Sequence, residues 1–424
     1  MQYMARQPIL DGDEQTQGYE MLYRAGMHKT AQFTDIDNAS RSVLEQIIIL
    51  GYKELSGGKR LYVNCSTDVL AHEYISVLPP EAVVVEILET VEPTPAIVKA
   101  CEQLKVNGFT IALDDFVPNS RTLPLLPFAD IIKVDFRATD ERTRKEIVDK
   151  YCKKARPLAE KVETRAEYKS GMNAGYSLFQ GYFFCEPVLL ANQELSPSKL
   201  NYMRLMEQIG RAEVDFKQVE EVIKSDAALC YRLLRYLNSY AFCLRTTITS
   251  IRHALTLLGE TQLRRWIAVA CVSVAAENSA QCLLATALMR ARFAELLAPK
   301  AKCRAYELFL LGMFSVMDSI LGIPLSQVLT RVKVPKDVEA ALLGQKNRMR
   351  ELLDLIIAYD RGNFEKTRAI CAQMHLDPND LQEDYIRALQ WVDMVSGLSQ
   401  ELSQPEASMP PPVQVAAGNG LRPV

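Results

Sequence analysis

The sequence predicts a TIM-type (β/α)8-like barrel over residues 1–190, followed by an all-α domain over residues 198–400. Short β-branched runs alternate with helical patterns up to about residue 190, and strand signals vanish beyond about residue 198. The runs are continuously apolar, which is typical of parallel strands covered on both faces. Polar residues follow these runs at intervals of about one βα unit, as in a barrel whose strand ends build a site.

The first half contains seven candidate strands with helical stretches between them. No GxGxxG or Walker lysine loop is present, which argues against a doubly wound nucleotide-binding sheet. Since a full barrel takes ~250 residues, a barrel of this length is expected to have truncated helices or missing elements. The predicted strands are 15–23, 61–64, 83–88, 110–116, 131–136, 158–162 and 179–184, and the clearest helices are 39–49 and 95–106.

The second half consists of amphipathic helices. Gly210, Gly259, Gly344 and Gly362 are expected to end helices, and Ser250 to cap one. Residues 191–197 are predicted to be a linker and residues 401–424 a disordered tail, because the tail is rich in proline and glycine. The predicted helices are 198–210, 215–224, 227–240, 250–258, 261–275, 280–297, 304–321, 334–343, 348–359, 363–374 and 381–395.

Composition narrows the class of protein. The 424 residues are 48% hydrophobic and carry a formal net charge of -3, so neither disorder nor binding to nucleic acid or anionic membranes is expected. The N-terminal residues lack a signal-peptide core, and the longest uncharged apolar run, 266–276, is too short to span a bilayer. Ten cysteines at wide spacing predict reduced thiols, and we expect a cytoplasmic protein.

Polar side chains at the predicted strand ends are expected to converge on one mouth of the barrel. Clustered carboxylates require a counter-charge, and carboxylate and amide oxygens suit Mg²⁺ or Mn²⁺. Two such ions are a standard device for attack of water on a phosphodiester. Only four histidines are present, which argues against zinc-type hydrolysis. Lys133, inside a buried strand, requires an anionic partner. The converging residues are Glu20, Asn64, Glu86, Asp114, Asp115, Lys133, Glu160, Glu163 and Gln180.

Seven ordered blocks of polar and apolar residues follow one another in residues 1–190. The blocks are Gly18-Tyr-Glu20-Met-Leu-Tyr-Arg24, Val63-Asn64-Cys-Ser66, Val85-Glu86-Ile-Leu-Glu89-Thr90, Leu113-Asp114-Asp115-Phe116, Lys133-Val-Asp135, Ala159-Glu160-Lys-Val-Glu163-Thr164 and Gln180-Gly181-Tyr182. In this order they resemble the signature blocks of EAL domains, the bacterial cyclic-di-GMP phosphodiesterases. The resemblance implies hydrolysis of cyclic-di-GMP to linear pGpG with two metal ions.

The same resemblance implies a role for each site residue. One metal would be held by Glu20, Asn64, Glu86 and Asp114. The second would be held by Asp114, Asp115 and Glu160. Lys133 and Gln180 would orient the attacking water, and Glu163 would support them. Arg24 would meet the phosphate of the ligand, and Glu89 would anchor the loop after Asp115.

This sequence departs from the family pattern at three places. Met21 replaces an alanine beside Glu20, and Lys161 replaces a glycine and adds a charge next to the site. Val117-Pro118-Asn119 replaces the usual Gly-Thr-Gly after Asp-Asp-Phe, in a loop that in the family couples metal binding to dimerisation. Proline cannot supply the backbone freedom of glycine. These departures bear on catalysis more than on ligand binding.

The helical half contains three characteristic stretches, Ser225-Asp226-Ala-Ala-Leu229, Leu233–Ser239 and Ile248–Gly259. On these stretches, residues 198–400 resemble an HDOD domain, a helical relative of metal-dependent HD phosphohydrolases. The helix that ends at Asp318 offers no histidine for an HD site, so this half is expected to be a binding and relay module for an unidentified signalling protein.

Three details of the helical half are also predicted. His253 is expected to be a core or half-buried histidine. The cluster of Met313, Phe314 and Met317 is expected to belong to the core. Arg264-Arg265 is expected to lie on a solvated face.

Three functions remain open at this point. The leading one is a cyclic-di-GMP phosphodiesterase that uses Mg²⁺ or Mn²⁺, as the family resemblance implies. Whether the protein is a homodimer stays open at this point. The second is a weak or inactive barrel that senses the nucleotide or serves as a scaffold, with the HDOD half as output. The third, a metallophosphodiesterase for another substrate, fits less well because Arg24 and the Gln180-Gly181-Tyr182 block also match.

Overall fold

A computed structural model describes residues 2–25, 33–186, 197–211, 213–225, 227–237, 251–275, 281–332 and 334–403. Its N-terminal half is a closed barrel of eight strands, neighbouring one another in chain order. The predicted barrel is therefore confirmed. All eight strands are present, and the five-residue helices Tyr52–Ser56 and Thr67–Ala71 agree with the expected truncation of helices. The strands are β1 (Gln2–Asp11), β2 (Thr16–Ala25), β3 (Arg60–Cys65), β4 (Val83–Ile87), β5 (Thr110–Leu113), β6 (Ile131–Asp135), β7 (Arg156–Glu160) and β8 (Leu178–Gln180).

Strand β1 departs from the all-parallel prediction. It runs antiparallel to both β2 and β8 and closes the barrel between them. Pro8, which faces Tyr19 of β2, weakens the strand pattern because proline has no N–H for a ladder. The other strands pair in parallel, from β2–β3 through β7–β8.

The barrel interior is built in two layers. The lower layer is a separate apolar cluster of inward-facing residues. Because side chains alternate across a strand, the residue two positions further toward the mouth also faces inward, and there it is polar. One apolar layer therefore supports a polar layer above it. The lower layer consists of Ile9, Tyr62, Val84, Ala112, Ile131, Leu158 and Leu178.

Helices and short 3-10 turns cover the outside of the barrel. Thr94 caps one helix by accepting a hydrogen bond from Ile97 N, and Thr164 with Glu167 forms a capping box on another. The helices are α1 (Phe33–Leu50), α2 (Tyr52–Ser56), α3 (Thr67–Ala71), α4 (Pro95–Val106), α5 (Glu141–Tyr151) and α6 (Arg165–Ala174), and the 3-10 turns are Tyr74–Val77, Leu126–Phe128 and Phe183–Cys185.

The described part of the second half is helical. The predicted helix 304–321 is two helices, and the helix at 325–331 was not predicted. Gly259 breaks the helix around it with a φ of 65°. The helices are α7 (Pro197–Gly210), α8 (Phe216–Lys224), α9 (Ala227–Leu237), α10 (Ile251–Ala275), α11 (Gln281–Ala301), α12 (Ala305–Phe314), α13 (Met317–Leu321), α14 (Leu325–Arg331), α15 (Lys336–Leu342), α16 (Arg348–Asp360), α17 (Phe364–Met374) and α18 (Pro378–Ser403).

The predicted linker and tail are only partly within the described residues. Residues 187–196 lie outside them, and Pro197 already begins α7. Helix α18 extends to Ser403, so residues 401–403 are helical and not part of a disordered tail. Ser250, residues 238–250 and residues 404–424 also lie outside the described part of the chain. Within the described part, no helix is both long enough and apolar enough to cross a bilayer.

Two predictions for the helical half are wrong. His253 is exposed, because α10 buries Ile251, Ala254 and Leu255 and thereby turns residue 253 away from the core. Arg264 is buried instead of lying on a solvated face, and it donates to the carbonyl oxygens at the end of α7.

Two other predictions for the side chains are confirmed. Met313, Phe314 and Met317 lie in the core. The nine described cysteines are free thiols, and Cys243 lies outside the described residues.

The helical half packs directly against β1 and the end of β8. The Arg6 guanidinium is buried between the two halves and contacts Asp393 of α18 at 3.0 Å. Tyr182 donates its hydroxyl to the carbonyl oxygen of Asp360 at 2.6 Å. Ser319 donates to the Cys185 carbonyl oxygen at 2.6 Å. Strand β1, which carries Arg6, and strand β8, which ends two residues before Tyr182, also supply side chains to the polar layer of the barrel.

Candidate functional site: a carboxylate ring around a buried lysine

The polar layer at the carboxyl ends of the parallel strands forms the candidate site. Each member lies two residues beyond an inward-facing residue of the strand, except on β1, which runs in the opposite direction. Gly18 precedes Glu20 on the inner face of β2, where a Cβ would approach the Tyr62 ring to 2.7 Å. The layer consists of Gln7, Glu20, Asn64, Glu86, Asp114, Lys133, Glu160 and Gln180.

Lys133 lies at the centre of the ring with no exposed surface. Its Nζ atom is 2.7 Å from Glu86 Oε1, 2.7 Å from Glu160 Oε1 and 2.8 Å from Asp114 Oδ1. It also donates to Glu20 Oε2 at 3.3 Å. The prediction that this lysine requires an anionic partner is confirmed, with four carboxylates in place of one.

A chain of amide side chains fixes the Glu20 carboxylate. Asn64 Nδ2 donates to Glu20 Oε1 at 3.2 Å, and Gln180 Nε2 donates to Glu20 Oε2 at 2.6 Å. Gln180 Nε2 also contacts Gln7 Oε1 at 3.0 Å. Gln7 was missed by the sequence analysis because it lies on the unpredicted strand β1. Its only signal was its position two residues from the apolar Ile9, on a strand that runs against its neighbours.

Burial and crowding of like charges shift the proton affinities of the ring. Burial, followed by the neighbouring Glu20 carboxylate, raises the pKa of Glu86 well above its usual value. Burial also raises the pKa of Glu160 to about 8, against the opposing effect of Lys133. For Lys133, burial alone would lower the pKa, but the surrounding carboxylates, led by Asp114 and Glu160, raise it well above its usual value. Without a bound metal ion, the carboxylates therefore favour the charged form of Lys133.

One lysine does not satisfy the acceptors of this ring. Among the described residues, Asn64 Oδ1, Glu86 Oε2 and Asp115 Oδ1 are buried oxygens that receive no hydrogen bond. Buried acceptors without donors are rare in folded proteins, and hard divalent cations bind carboxylate and amide oxygens. The donor set therefore fits Mg²⁺ or Mn²⁺.

A second group of carboxylates lies at the edge of the ring. One oxygen each from Glu89, Asp114 and Asp115 lie within 4.8 Å of one another. Asp115 directly follows Asp114 after β5 and has a left-handed φ of 40°. Burial, followed by the charge of Asp114, raises the pKa of Asp115. Asp114 thus faces Lys133 on one side and this outer group on the other.

Among the predicted site residues, Glu163 is not brought into the ring. Glu163 lies beyond the end of β7, where 64% of its side chain is exposed and its Oε2 is 2.8 Å from Arg137. Among the described residues, Glu163 makes no hydrogen bond or ion pair with a member of the ring, and its role as a supporting carboxylate stays a prediction. Arg24 pairs with Tyr3 in the β1–β2 ladder, and its side chain lies outside the described residues.

The loop after β5 is an ordered turn. Asn119 Oδ1 accepts hydrogen bonds from the backbone N–H groups of Arg121 and Thr122. The Thr122 hydroxyl donates to the Val117 carbonyl oxygen at 2.6 Å. The residues that replace the usual glycines therefore build a self-bonded turn, which gives the chain directly after the Asp114-Asp115 pair less freedom.

Gly181 allows the end of β8 to approach the segment after β7. Its φ is 141°, and a Cβ at this position would lie 1.9 Å from the carbonyl oxygen of Val162. Gln180 is thereby held in the ring, while Tyr182, two residues on, contacts the helical half.

Comparison with known proteins identifies both halves. The model of the EAL domain matches residues 38–187, and the model of the HDOD domain matches residues 196–332. These are the two classes that the barrel with its carboxylate ring and the helical half define.

Two curated relatives match almost the whole chain. YuxH from Bacillus subtilis, an uncharacterized protein, is 34% identical over 400 residues, which cover 92% of this chain and 97% of YuxH. The cyclic di-GMP phosphodiesterase CdgJ from Vibrio cholerae is 33% identical over 411 residues, which cover 93% of each chain. A calcium and cyclic-di-GMP complex of Klebsiella pneumoniae BlrP1 is 25% identical, with a TM-score of 0.37, over 43% of this chain and 55% of BlrP1. The chain belongs to the family of proteins in which an EAL domain is followed by an HDOD domain.

Proposed function

We propose that this protein hydrolyses cyclic-di-GMP to linear pGpG at the mouth of the barrel, with Mg²⁺ or Mn²⁺ as cofactor. The observation that carries the proposal is the ring of carboxylates and amides around Lys133. The family relationship supports it, since the relative CdgJ is a cyclic di-GMP phosphodiesterase.

The residues of the ring divide between metal binding and positioning. Glu20, Asn64, Glu86 and Asp114 would hold one cation, and Asp114, Asp115 and Glu160 the second. Bound divalent cations supply a nucleophilic water at neutral pH and neutralise charge on the phosphodiester.

Lys133 and Gln180 have the role of donors. Lys133, at the centre of the ring, would donate a hydrogen bond to the attacking water or to a phosphate oxygen. Gln180 fixes Glu20 through a direct hydrogen bond and so orients that ligand. Arg24 remains the proposed contact for the phosphate, and Glu163 a supporting carboxylate that acts through Arg137.

The second candidate function is a nucleotide sensor with weak or no turnover. The ordered turn of Val117-Pro118-Asn119 favours it, because this turn directly follows the proposed ligands Asp114 and Asp115. The packing of β1 and β8 against the helical half provides a physical connection from the site to an HDOD module that would bind a signalling partner.

An assay of the purified full-length protein tests the proposal. Cyclic-di-GMP is incubated with Mn²⁺ or Mg²⁺, and linear pGpG is separated and quantified. We expect turnover by the wild type and none by Glu20→Ala, which removes a ligand at a strand end but no core side chain. Circular dichroism verifies that the variant is folded. Full turnover by folded Glu20→Ala contradicts the assignment, and tight nucleotide binding without turnover by the wild type supports the sensor.

A further inference from the structure

Lys161 occupies a backbone position that suits glycine. It directly follows the ring residue Glu160 at the end of β7 and has a left-handed φ of 54°. Residues with a Cβ rarely adopt this conformation, which glycine reaches freely. A lysine at this position therefore retains an unfavourable backbone conformation.

The Lys161 ammonium lies between two carboxylates at the edge of the ring. Its Nζ is 2.5 Å from Asp135 Oδ2 and 3.8 Å from Asp115 Oδ1. Asp135 is itself anchored, because its other carboxylate oxygen accepts the backbone N–H groups of Arg137 and Ala138. The position of the ammonium beside Asp115 is therefore fixed by an anchored partner.

Asp115 also belongs to the outer carboxylate group with Glu89 and Asp114. Its Oδ1, the atom nearest Lys161, is a buried acceptor that receives no hydrogen bond among the described residues. A divalent cation bound by Asp115 would lie close to the Lys161 ammonium. Like charges at this separation repel one another unless bulk water screens them, and about half of the Lys161 side chain is exposed.

We propose that Lys161 is a built-in cation that competes with the second divalent ion for Asp115. The first cation, on the Glu20, Asn64 and Glu86 side, is not affected in this way. The inference rests on the proposed function and deepens it, because occupancy of the second position would then depend on the concentration of free Mg²⁺ or Mn²⁺. Lys161 acts here as a positioning residue that sets metal affinity.

Calorimetric titration of metal-free, full-length protein with Mn²⁺, without nucleotide, tests this proposal. We expect Lys161→Met, which removes the charge but keeps the length of the side chain, to tighten the weaker site on the order of tenfold. The tighter site should be unchanged. Lys161→Gly should match Lys161→Met, and Lys161→Arg should match the wild type. Lys169→Met, at an exposed lysine of α6, is the matched control for loss of one positive charge.

Electron paramagnetic resonance of the same samples provides a second readout, since two neighbouring Mn²⁺ ions give a coupled spectrum. The coupled signal should appear at lower Mn²⁺ in Lys161→Met than in the wild type. Equal affinity of the weaker site in both proteins overturns the inference. A gain confined to Lys161→Gly also overturns it, because backbone strain would then be the cause. Absence of Mn²⁺ binding in every variant overturns the proposed function together with this inference.

Discussion

Replacement of Lys133 by methionine examines the centre of the site. The lysine has no exposed surface, and its ammonium is within 3.3 Å of an oxygen from each of four carboxylates. Methionine has a similar length and fits an irregular space, so the main change is loss of the charge. Removal of one partner from a buried ion pair costs about 3–5 kcal/mol, because the remaining charges are left uncompensated.

That loss corresponds to a decrease in Tm of roughly 6–20 °C for a domain of this size. The measurement is thermal denaturation in a chelator, followed by the same measurement with Mn²⁺. Added Mn²⁺ should restore part of the stability of Lys133→Met, since a divalent cation can compensate the same carboxylates.

Lys105→Met is the matched control, because it removes the same charge from a half-exposed pair. Lys105 contacts Asp130 at 2.5 Å with about a third of each side chain exposed. Such pairs contribute about 0–1 kcal/mol. If Lys133→Met is no less stable than Lys105→Met in the chelator, the ring does not depend on Lys133 for its counter-charge and the reasoning is refuted.

Three further predictions concern the loop, the interface and pH. Replacement of Val117-Pro118-Asn119 by Gly-Thr-Gly removes the self-bonded turn. In steady-state kinetics this replacement should raise kcat more than it changes the affinity for cyclic-di-GMP. An unchanged kcat contradicts the prediction. Arg6→Met leaves Asp393 without its buried partner and should lower the free energy of unfolding in urea by about 2–4 kcal/mol. The control Arg142→Met, at an exposed ion pair, should change this free energy by less than about 0.5 kcal/mol. Because the pKa of Glu160 is raised to about 8, the folded state holds this proton more tightly than the unfolded state. This contribution to the free energy of unfolding is present below pH 4.5 and is lost as the pH rises to about 8. Over this range the free energy of unfolding of the metal-free wild type should fall by up to about 5 kcal/mol more than that of Glu160→Gln. Parallel pH profiles of the two proteins would contradict the shift.

The barrel was predictable because its parallel strands are continuous apolar runs that each end in a polar residue. The same pattern predicted Glu20, Asn64, Glu86, Asp114 and Lys133 at the mouth, since successive inward positions are two residues apart. Their association is confirmed by the contacts of Lys133 with the three carboxylates and by the hydrogen bond from Asn64 to Glu20, while their roles as ligands remain predictions.

Strand β1 could not be found in this way. It contains Arg6, Gln7 and Pro8, which break the apolar run, and it contributes to the site in the opposite chain direction. Gln7, which lies on this strand, was therefore not predicted as a site residue. Glu163 was expected in the site because it was counted with the polar residues at the strand ends and matches a supporting carboxylate of the family pattern. The left-handed turn at Lys161 instead directs the chain out of the barrel between Glu160 and Glu163.

The contacts between the two halves also could not be predicted from the sequence around each residue. Arg6 and Asp393 are 387 residues apart, and Tyr182 and Asp360 are 178 residues apart. Arg264 was misassigned for the same reason, because the carbonyl groups that bury it belong to another helix.

The most direct test of the central claim is formation of pGpG from cyclic-di-GMP by the full-length wild type and by Glu86→Gln, each with Mn²⁺ and with a chelator. Glu86 is fully buried, and one of its oxygens receives no hydrogen bond among the described residues, so glutamine removes a ligand charge with little change in volume. The account predicts product for the wild type with Mn²⁺ and a decrease of at least about a hundredfold for the chelated protein and for folded Glu86→Gln. Product formation that is equal with and without the cation, or equal in the two proteins, would contradict it.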